Sequence, residues 1–182
     1  HQEAVELRGK TLGLVGLGAV GQEVARIGQA FGFKLIGWSP TYDPERARKV
    51  GVELVELEEL LRQADVVSLH VRASEKTVGM IGRRELSMMK PTTILVNTAR
   101  AALIDEQALV EALREKSIWG AGLDCLWQEP IPADHPLLEL DNVLLSPHVG
   151  WVTREAAEHP RLSPQDNIIA YLSGRPQHVV NP

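Results

Sequence analysis

Gly16-Leu17-Gly18-Ala19-Val20-Gly21 is a GxGxxG segment, a spacing whose chemistry is the capture of a pyrophosphate. Gly16 permits the tight turn, Gly18 lets the backbone approach the anion, and Gly21 lets helix and strand pack closely. Ala19 and Val20 lie beside them, and the free N–H groups of the following helix start bind the negative charge. The motif alone is weak. Here it follows the β-rich run Thr11–Val15 directly and opens a helix-like stretch, which is the context it requires. Gly9-Lys10-Thr11 looks like the end of a P-loop, but Ala4 stands where its first glycine belongs and the strand follows instead of preceding.

A second group of polar residues falls where β-rich runs end. His70 and Arg72 follow one run, Asn97-Thr98-Ala99-Arg100 the next, Asp124 and then Glu129-Pro130 another, and Ser146-Pro147-His148 the last. In a doubly wound sheet, ligands bind outside the carboxyl ends of the strands. An arginine there holds a carboxylate through two parallel hydrogen bonds and polarises the neighbouring carbonyl. A histidine exchanges a proton with the carbonyl oxygen, and a nearby glutamate favours the charged imidazole and holds its ring. Arg100, His148 and Glu129 together suit hydride transfer to a 2-keto acid, with a nicotinamide carrying the difficult chemistry. His70 and Thr98 are assigned to the cofactor side.

Each of these residues also has a structural reading. Arg100 can pair with Asp105, Glu129 can be solvated in its Pro-rich turn, and His148 can be a satisfied loop histidine. His70 reads as structural more than catalytic, Cys125 as a small buried residue, and His135 as part of a turn. The second β-rich run ends Gly37-Trp38-Ser39-Pro40, and Ser39 occupies the place of the acidic residue that binds NAD ribose. Serine does not repel a 2′-phosphate, and Arg46 and Arg48 follow nearby. Asp43 remains available to the ribose. NAD and NADP both stay open, with a slight lean to NADP.

The elements that must position these groups alternate. Strand-like runs occupy Thr11–Val15, Lys34–Trp38, Val66–Val71, Thr93–Asn97, Ile118–Leu123 and Val143–Leu145. Between them, Ala19–Phe31 carries Val20, Val24, Ile27 and Phe31 at helical spacing. Asp43-Pro44 is an N-cap followed by proline, Glu56–Gln63 is a short amphipathic helix, and Asp105–Glu115 opens on a capping aspartate. This alternation predicts an α/β fold: a doubly wound, Rossmann-type parallel sheet with helices on both faces. Towards the end, Thr153 is a candidate cap, Pro160 and Pro164 interrupt, and a helix from Pro164 has Ser163 as N-cap, Asp166 as its box partner and Gly174 as its stop.

The chain has 182 residues, of which 44% are hydrophobic and 24% charged, the mix of a soluble globular protein. Its net charge of -5 argues against a nucleic-acid partner. No apolar run approaches the roughly 18 residues of a membrane span. The single cysteine rules out an internal disulfide, no Cys or His cluster has zinc spacing, and no metal site is expected. No signal peptide is visible, and a cytoplasmic protein fits best.

The motifs together resemble the nucleotide-binding domain of the D-isomer-specific 2-hydroxyacid dehydrogenases. The resemblance rests on Gly-Lys-Thr-Leu-Gly-Leu-Val-Gly-Leu-Gly at 9–18, Ala-Asp-Val-Val-Ser-Leu-His at 64–70 and Lys-Pro-Thr-Thr-Ile-Leu-Val-Asn-Thr-Ala-Arg at 90–100. It continues through Gly-Leu-Asp at 122–124, Glu-Pro at 129–130 and Asn-Val-Leu-Leu-Ser-Pro-His-Val-Gly at 142–150. It implies that Arg100 binds the substrate carboxylate, that Glu129 and His148 are the acid/base pair, and that Asp124 holds the nicotinamide carboxamide. It also implies a small 2-keto or 2-hydroxy acid as substrate and a homodimer formed through this domain.

The departures are Ser39 for an acidic residue, Arg72 for a common proline, Ala101 for a frequent glycine, and the prolines at 160 and 164 in place of one long helix. The resemblance further implies a dinucleotide-binding domain over residues 1–153 and a helical tail over 154–182 that returns to a substrate domain. That substrate domain is built mainly from residues preceding this region. The chain is therefore expected to be the cofactor half of a larger enzyme and to turn over poorly alone. A non-enzymatic dinucleotide-sensing module of the corepressor type is the alternative, and another Rossmann enzyme, such as an amino-acid dehydrogenase, ranks below both.

Overall fold

The structure, a computed structural model, describes residues 5–41, 43–154, 156, 164–177 and 179. Its contacts divide into two compact units, His1–His148 and Val149–Pro182. The first unit holds seven strands, β1 (Thr11–Val15), β2 (Lys34–Trp38), β3 (Glu53–Leu54), β4 (Val66–Leu69), β5 (Ile94–Asn97), β6 (Gly120–Leu123) and β7 (Val143–Leu145). They form one sheet in the order β3-β2-β1-β4-β5-β6-β7, and every neighbouring pair is parallel. The order reverses between β1 and β4, which opens a crevice at their carboxyl ends.

Five helices connect these strands: α1 (Ala19–Ala30), α2 (Pro44–Lys49), α3 (Leu57–Gln63), α4 (Arg83–Met88) and α5 (Glu106–Arg114). α2 and α5 begin as their sequences predict. The Asp43 carboxylate accepts the Arg46 N–H at 2.9 Å, and that of Asp105 accepts the Ala108 N–H at 2.8 Å. β3 and α4 were not read from the sequence, being two and six residues long.

Of the apolar stripe of α1 only Val24 packs against the core, and the rest of it faces outward. Val20, Ile27 and Phe31 are exposed, and the buried residues of the helix are Gly21, Ala25 and Gly28. Close packing is the reason: a Cβ on Gly28 would lie 2.9 Å from Leu12 Cδ2. Small residues let this helix sit directly on β1 and β2, so bulk on that face would push it away.

Strand register sorts the sheet into two faces, because side chains alternate. Leu12 and Leu14 share a face with Val66 and Ser68, Ile94 and Val96, and Leu144. Their end of that face is buried in a cluster with Leu17, Ala25, Leu35 and Val52, whereas Leu144 is 75% exposed. The opposite face carries the main core, where Val67, Leu69, Leu95 and Leu123 pack with Leu60, Leu61, Leu109 and Leu113 from α3 and α5.

In the second unit, Thr153 Oγ accepts the Ala156 N–H at 2.9 Å, as its capping role predicts. Helix α6 (Pro164–Leu172) ends at Gly174, whose φ of 68° and N–H bond to the Tyr171 carbonyl make it the predicted stop. Pro160 and the proposed cap Ser163 lie outside the described residues.

Candidate active site

The glycine loop is built as the motif requires. Gly16 has φ +105°, and a Cβ there would lie 2.8 Å from the His70 carbonyl carbon and 2.9 Å from the Val71 nitrogen. Gly21 touches the same turn, since its Cβ would stand 2.1 Å from the Gly16 oxygen. Gly18 caps α1 in an extended conformation, and a Cβ on it would meet nothing within 4 Å. The loop is thus closed on the protein side and open at the residue where a pyrophosphate would approach the helix start, so these residues fit a dinucleotide.

A cavity of about 460 Å³ opens beside it, lined by Val20, His70, Val71, Arg72, Thr98 and Arg100 among others. The glycine loop, the end of β4 and the end of β5 therefore meet at one place. His70 is packed beneath the loop, with its Nε2 3.0 Å from Ser68 Oγ. Burial pushes its pKa down to about 4, so at neutral pH it is an uncharged wall.

Asn97 shapes the turn that presents Arg100. It is fully buried; its amide donates to the Arg100 carbonyl at 2.9 Å, and its oxygen accepts the Ala99 N–H at 3.0 Å. The Asn97 carbonyl in turn accepts the Asp124 N–H at 3.0 Å, tying the ends of β5 and β6. Arg100 is exposed and its guanidinium bonds the Ala99 carbonyl, while Asp105 caps α5; among the described residues the two do not pair. The positioning role of Asn97 was missed, although its place beside a ligand-binding turn signalled it.

Glu129 and His148 come together across the ends of β6 and β7. His148 Nδ1 lies 3.0 and 3.1 Å from the two Glu129 oxygens. The Leu126 N–H, bonded to Glu129 Oε1 at 3.0 Å, and then the His148 ring hold this carboxyl below the usual carboxylate range. An ionised carboxylate only accepts, so Nδ1 carries the proton and Nε2 is left to exchange one. His148 adopts φ +57°, a left-handed conformation costing about 1–2 kcal/mol for a residue with a side chain. Its N–H bonds the Ser146 carbonyl at 3.0 Å, which holds the strained turn.

Asp124 is buried at the end of β6, and Ser146 Oγ donates to its Oδ1 at 2.5 Å. Ser146 is a second positioning residue that sequence reasoning did not assign. Cys125 is buried, and burial, followed by the Glu129 and Asp124 charges, pushes its pKa up to about 11. It is a protonated thiol at neutral pH, not a nucleophile. His135 sits in its predicted turn: Nδ1 accepts the Leu137 N–H at 3.2 Å, and Nε2 lies 2.7 Å from Glu106.

Ser39 lines a separate cavity of about 430 Å³ at the end of β2, with Thr41, Glu56 and Glu59. The arginines expected to serve it are engaged elsewhere. Arg46 pairs with Asp43 at 3.1 Å and Arg48 with Glu45 at 3.1 Å, and neither is among the described residues lining the cavity. Asp43 accepts the Arg46 N–H through one oxygen and pairs with the Arg46 side chain through the other, and it is not among the described residues lining the cavity. The carboxylates at this cavity come instead from the end of β3 and from α3, a source hidden by the brevity of β3.

A parallel sheet with a glycine-rich turn at its switch point and polar side chains at its carboxyl edge defines a Rossmann-type nicotinamide-dinucleotide-binding domain. Residues 1–150 match the family model described as D-isomer specific 2-hydroxyacid dehydrogenase, NAD binding domain. The chain belongs to that family. It is 44% identical over 178 residues to a glyoxylate reductase of Aeropyrum pernix, covering 97% of this chain and 53% of that protein. It is 45% identical over 181 residues to a D-3-phosphoglycerate dehydrogenase of Methanocaldococcus jannaschii, covering 98% of this chain and 34% of the relative. A crystal structure of D-lactate dehydrogenase with NAD+ from Lactobacillus jensenii superposes with a TM-score of 0.88 at 33% identity, covering 99% of this chain and 58% of that one. The chain thus spans about half the length of the glyoxylate reductase and a third of the phosphoglycerate dehydrogenase.

Proposed function

We propose that this chain supplies the cofactor-binding part and the acid/base pair of an enzyme that interconverts 2-keto acids and D-2-hydroxy acids. The observation that carries this reading is the His148–Glu129 pair, with Nδ1 and carboxylate 3.0 Å apart on the strand-end edge that also carries Arg100. The loop of Gly16, Gly18, Ala19, Val20 and Gly21 would hold the dinucleotide's pyrophosphate, with Asp124 at the nicotinamide carboxamide and His70 and Thr98 also on the cofactor side, and the bound cofactor would supply the hydride. Arg100 holds the substrate carboxylate and polarises the carbonyl beside it. His148 exchanges a proton with the carbonyl oxygen through Nε2, and Glu129 orients the ring.

Glu56 and Glu59 support NAD over NADP, because carboxylates beside Ser39 repel a 2′-phosphate. Comparing the dissociation constants of the two cofactors tests this: NAD+ should bind at least about tenfold more tightly, roughly 1.4 kcal/mol. Equal binding, or tighter NADP+ binding, would contradict it.

The reading also includes a homodimer through this domain, a tail over 154–182 that returns to a substrate domain, and a cytoplasmic setting. Exposed Ile27 and Phe31 on α1 support the dimer. Sedimentation measures the first directly. No helix among the described residues is long and apolar enough to cross a membrane.

The test of function is reduction of a panel of 2-keto acids, glyoxylate included, with NADH and NADPH in turn, by this chain and by this chain joined to a substrate domain of the family. Turnover should give the D-hydroxy acid and fall at least about a hundredfold in His148→Asn, the ordinary contribution of a general acid. Reduction of none of the acids, or turnover unchanged in His148→Asn, would contradict the reading.

A further inference from the structure

Glu129 stands in a long irregular connection, residues 124–142 between β6 and β7, whose regular structure among the described residues is the short helical turn Pro136–Glu139. A carboxylate on such a stretch keeps one orientation only where the chain is fastened, because ordering it costs conformational entropy. Leu126, Glu129 and Pro130 border a cavity of about 410 Å³, together with Ile131, Leu138 and Leu145. Packing towards that cavity leaves the turn room to shift.

Trp127 supplies the fastening, and it is not among the described residues lining the cavity. It is half-buried, packs against the main core, and donates its indole N–H to the Ile104 carbonyl at 3.1 Å. That carbonyl is on a fixed segment. Ile104 is buried and bridged to Ile81, the Asp105 N–H bonds the Ile81 carbonyl at 3.0 Å, and Asp105 caps α5. Leu126, the neighbour of Trp127, is the residue whose N–H grips Glu129 Oε1. Further along, the contact of His135 with Glu106 at 2.7 Å ties the same connection to α5.

We infer that Trp127 is a positioning residue of the acid/base pair: its bond to the Ile104 carbonyl fixes the Leu126–Glu129 turn, and through it the carboxylate that orients the His148 ring. This rests on the functional reading above, in which His148 exchanges the proton. An indole serving only as packing could give way to a phenyl ring without consequence for Glu129. The donor is what separates the two roles.

The test is Trp127→Phe, which keeps a ring on the core and removes the donor. Carboxyl NMR titration of the full chain reads Glu129 directly. In the unaltered chain its midpoint should lie below the usual carboxylate range, held there by the Leu126 N–H and then the His148 ring. In Trp127→Phe it should rise towards that range. Benzothienylalanine at position 127 keeps the indole shape without the N–H; it should give the same rise, and it decides the matter if the Phe variant does not fold. His135→Asn retains an N-cap but is too short to reach Glu106, so it should lower stability to denaturant and leave the Glu129 midpoint unmoved. In the chain joined to a substrate domain of the family, Trp127→Phe should lower kcat at least about tenfold, with KM for the keto acid within about twofold, since Asn97 positions Arg100 separately. A Glu129 midpoint unmoved by loss of the indole donor, a midpoint moved equally by His135→Asn, or an unchanged kcat would overturn the inference and leave the functional reading standing. Failure of the joined enzyme to reduce any keto acid would overturn the functional reading, and with it the catalytic purpose of the tether.

Discussion

Asn97 shows how one buried side chain sets the position of an exposed functional one. Its side-chain amide donates to the Arg100 carbonyl and accepts the Ala99 N–H, and its backbone carbonyl accepts the Asp124 N–H at the end of β6. Asn97→Ala should cost about 1–3 kcal/mol by denaturant unfolding, because it strands buried partners. It should also lower turnover by more than its stability loss explains, since Arg100 loses its support. Equal activity per folded molecule would contradict that positioning role. His70 makes a second residue-scale prediction. With a pKa of about 4, it binds a proton less readily than in the unfolded chain, so its contribution to stability is full above about pH 6.5 and is lost as pH falls towards 4. An NMR titration of its ring checks the value directly, and a midpoint near 6.5 would remove the burial argument. Ser39, Arg100, Glu129 and His148 were legible as residues because their types are chemically unusual at strand ends. Asn97 and Ser146 were legible by their place at strand ends but not by role, because a positioning residue is defined by the partner it holds.

At the scale of elements, the two edges of the sheet have separate work. The amino-terminal edge is tied by Asp65, which accepts the Thr11 N–H at 2.8 Å and pairs with Lys90 at 2.9 Å. Burial raises the Asp65 carboxyl, but Lys90 and the Thr11 N–H outweigh it and the net direction is down. A depressed carboxyl contributes stability that is present above the unfolded pKa and lost as pH falls through the folded one. Asp65→Asn should therefore destabilise the fold near neutrality and reduce the slope of stability with pH in the acid range. Its dinucleotide affinity should be unchanged, because the ligand edge lies at the other end of the strands; weakened cofactor binding would contradict the separation. β1, β2 and β7 were legible to the residue, since apolar runs bounded by turns leave little choice. The face of α1 was not. Val20, Ile27 and Phe31 continue the period of Val24, which packs inward, but the close approach of Ala25 and Gly28 to the sheet and of Gly21 to the turn at Gly16 leaves these three outside. Gly21→Ala should accordingly cost at least about 1–3 kcal/mol by denaturant unfolding, the scale of overpacking.

For the whole molecule, the fold class and the family were legible because several short motifs occur in one order along the chain. The cofactor preference was not legible in the same way. Arg46 and Arg48 are near Ser39 in sequence, but Asp43 and Glu45 hold them along α2, and Glu56 and Glu59 arrive at the Ser39 cavity from a different connection. Tertiary placement, not chain distance, decides which charges meet a ligand. The fold builds a dinucleotide site at the switch between β1 and β4. Calorimetric titration of the chain with NAD+ tests it most directly. One saturable site per chain, with binding lost or strongly weakened in a Gly21→Ala variant that remains folded, is the predicted result. Absence of saturable binding to both NAD+ and NADP+ by the folded chain would contradict it.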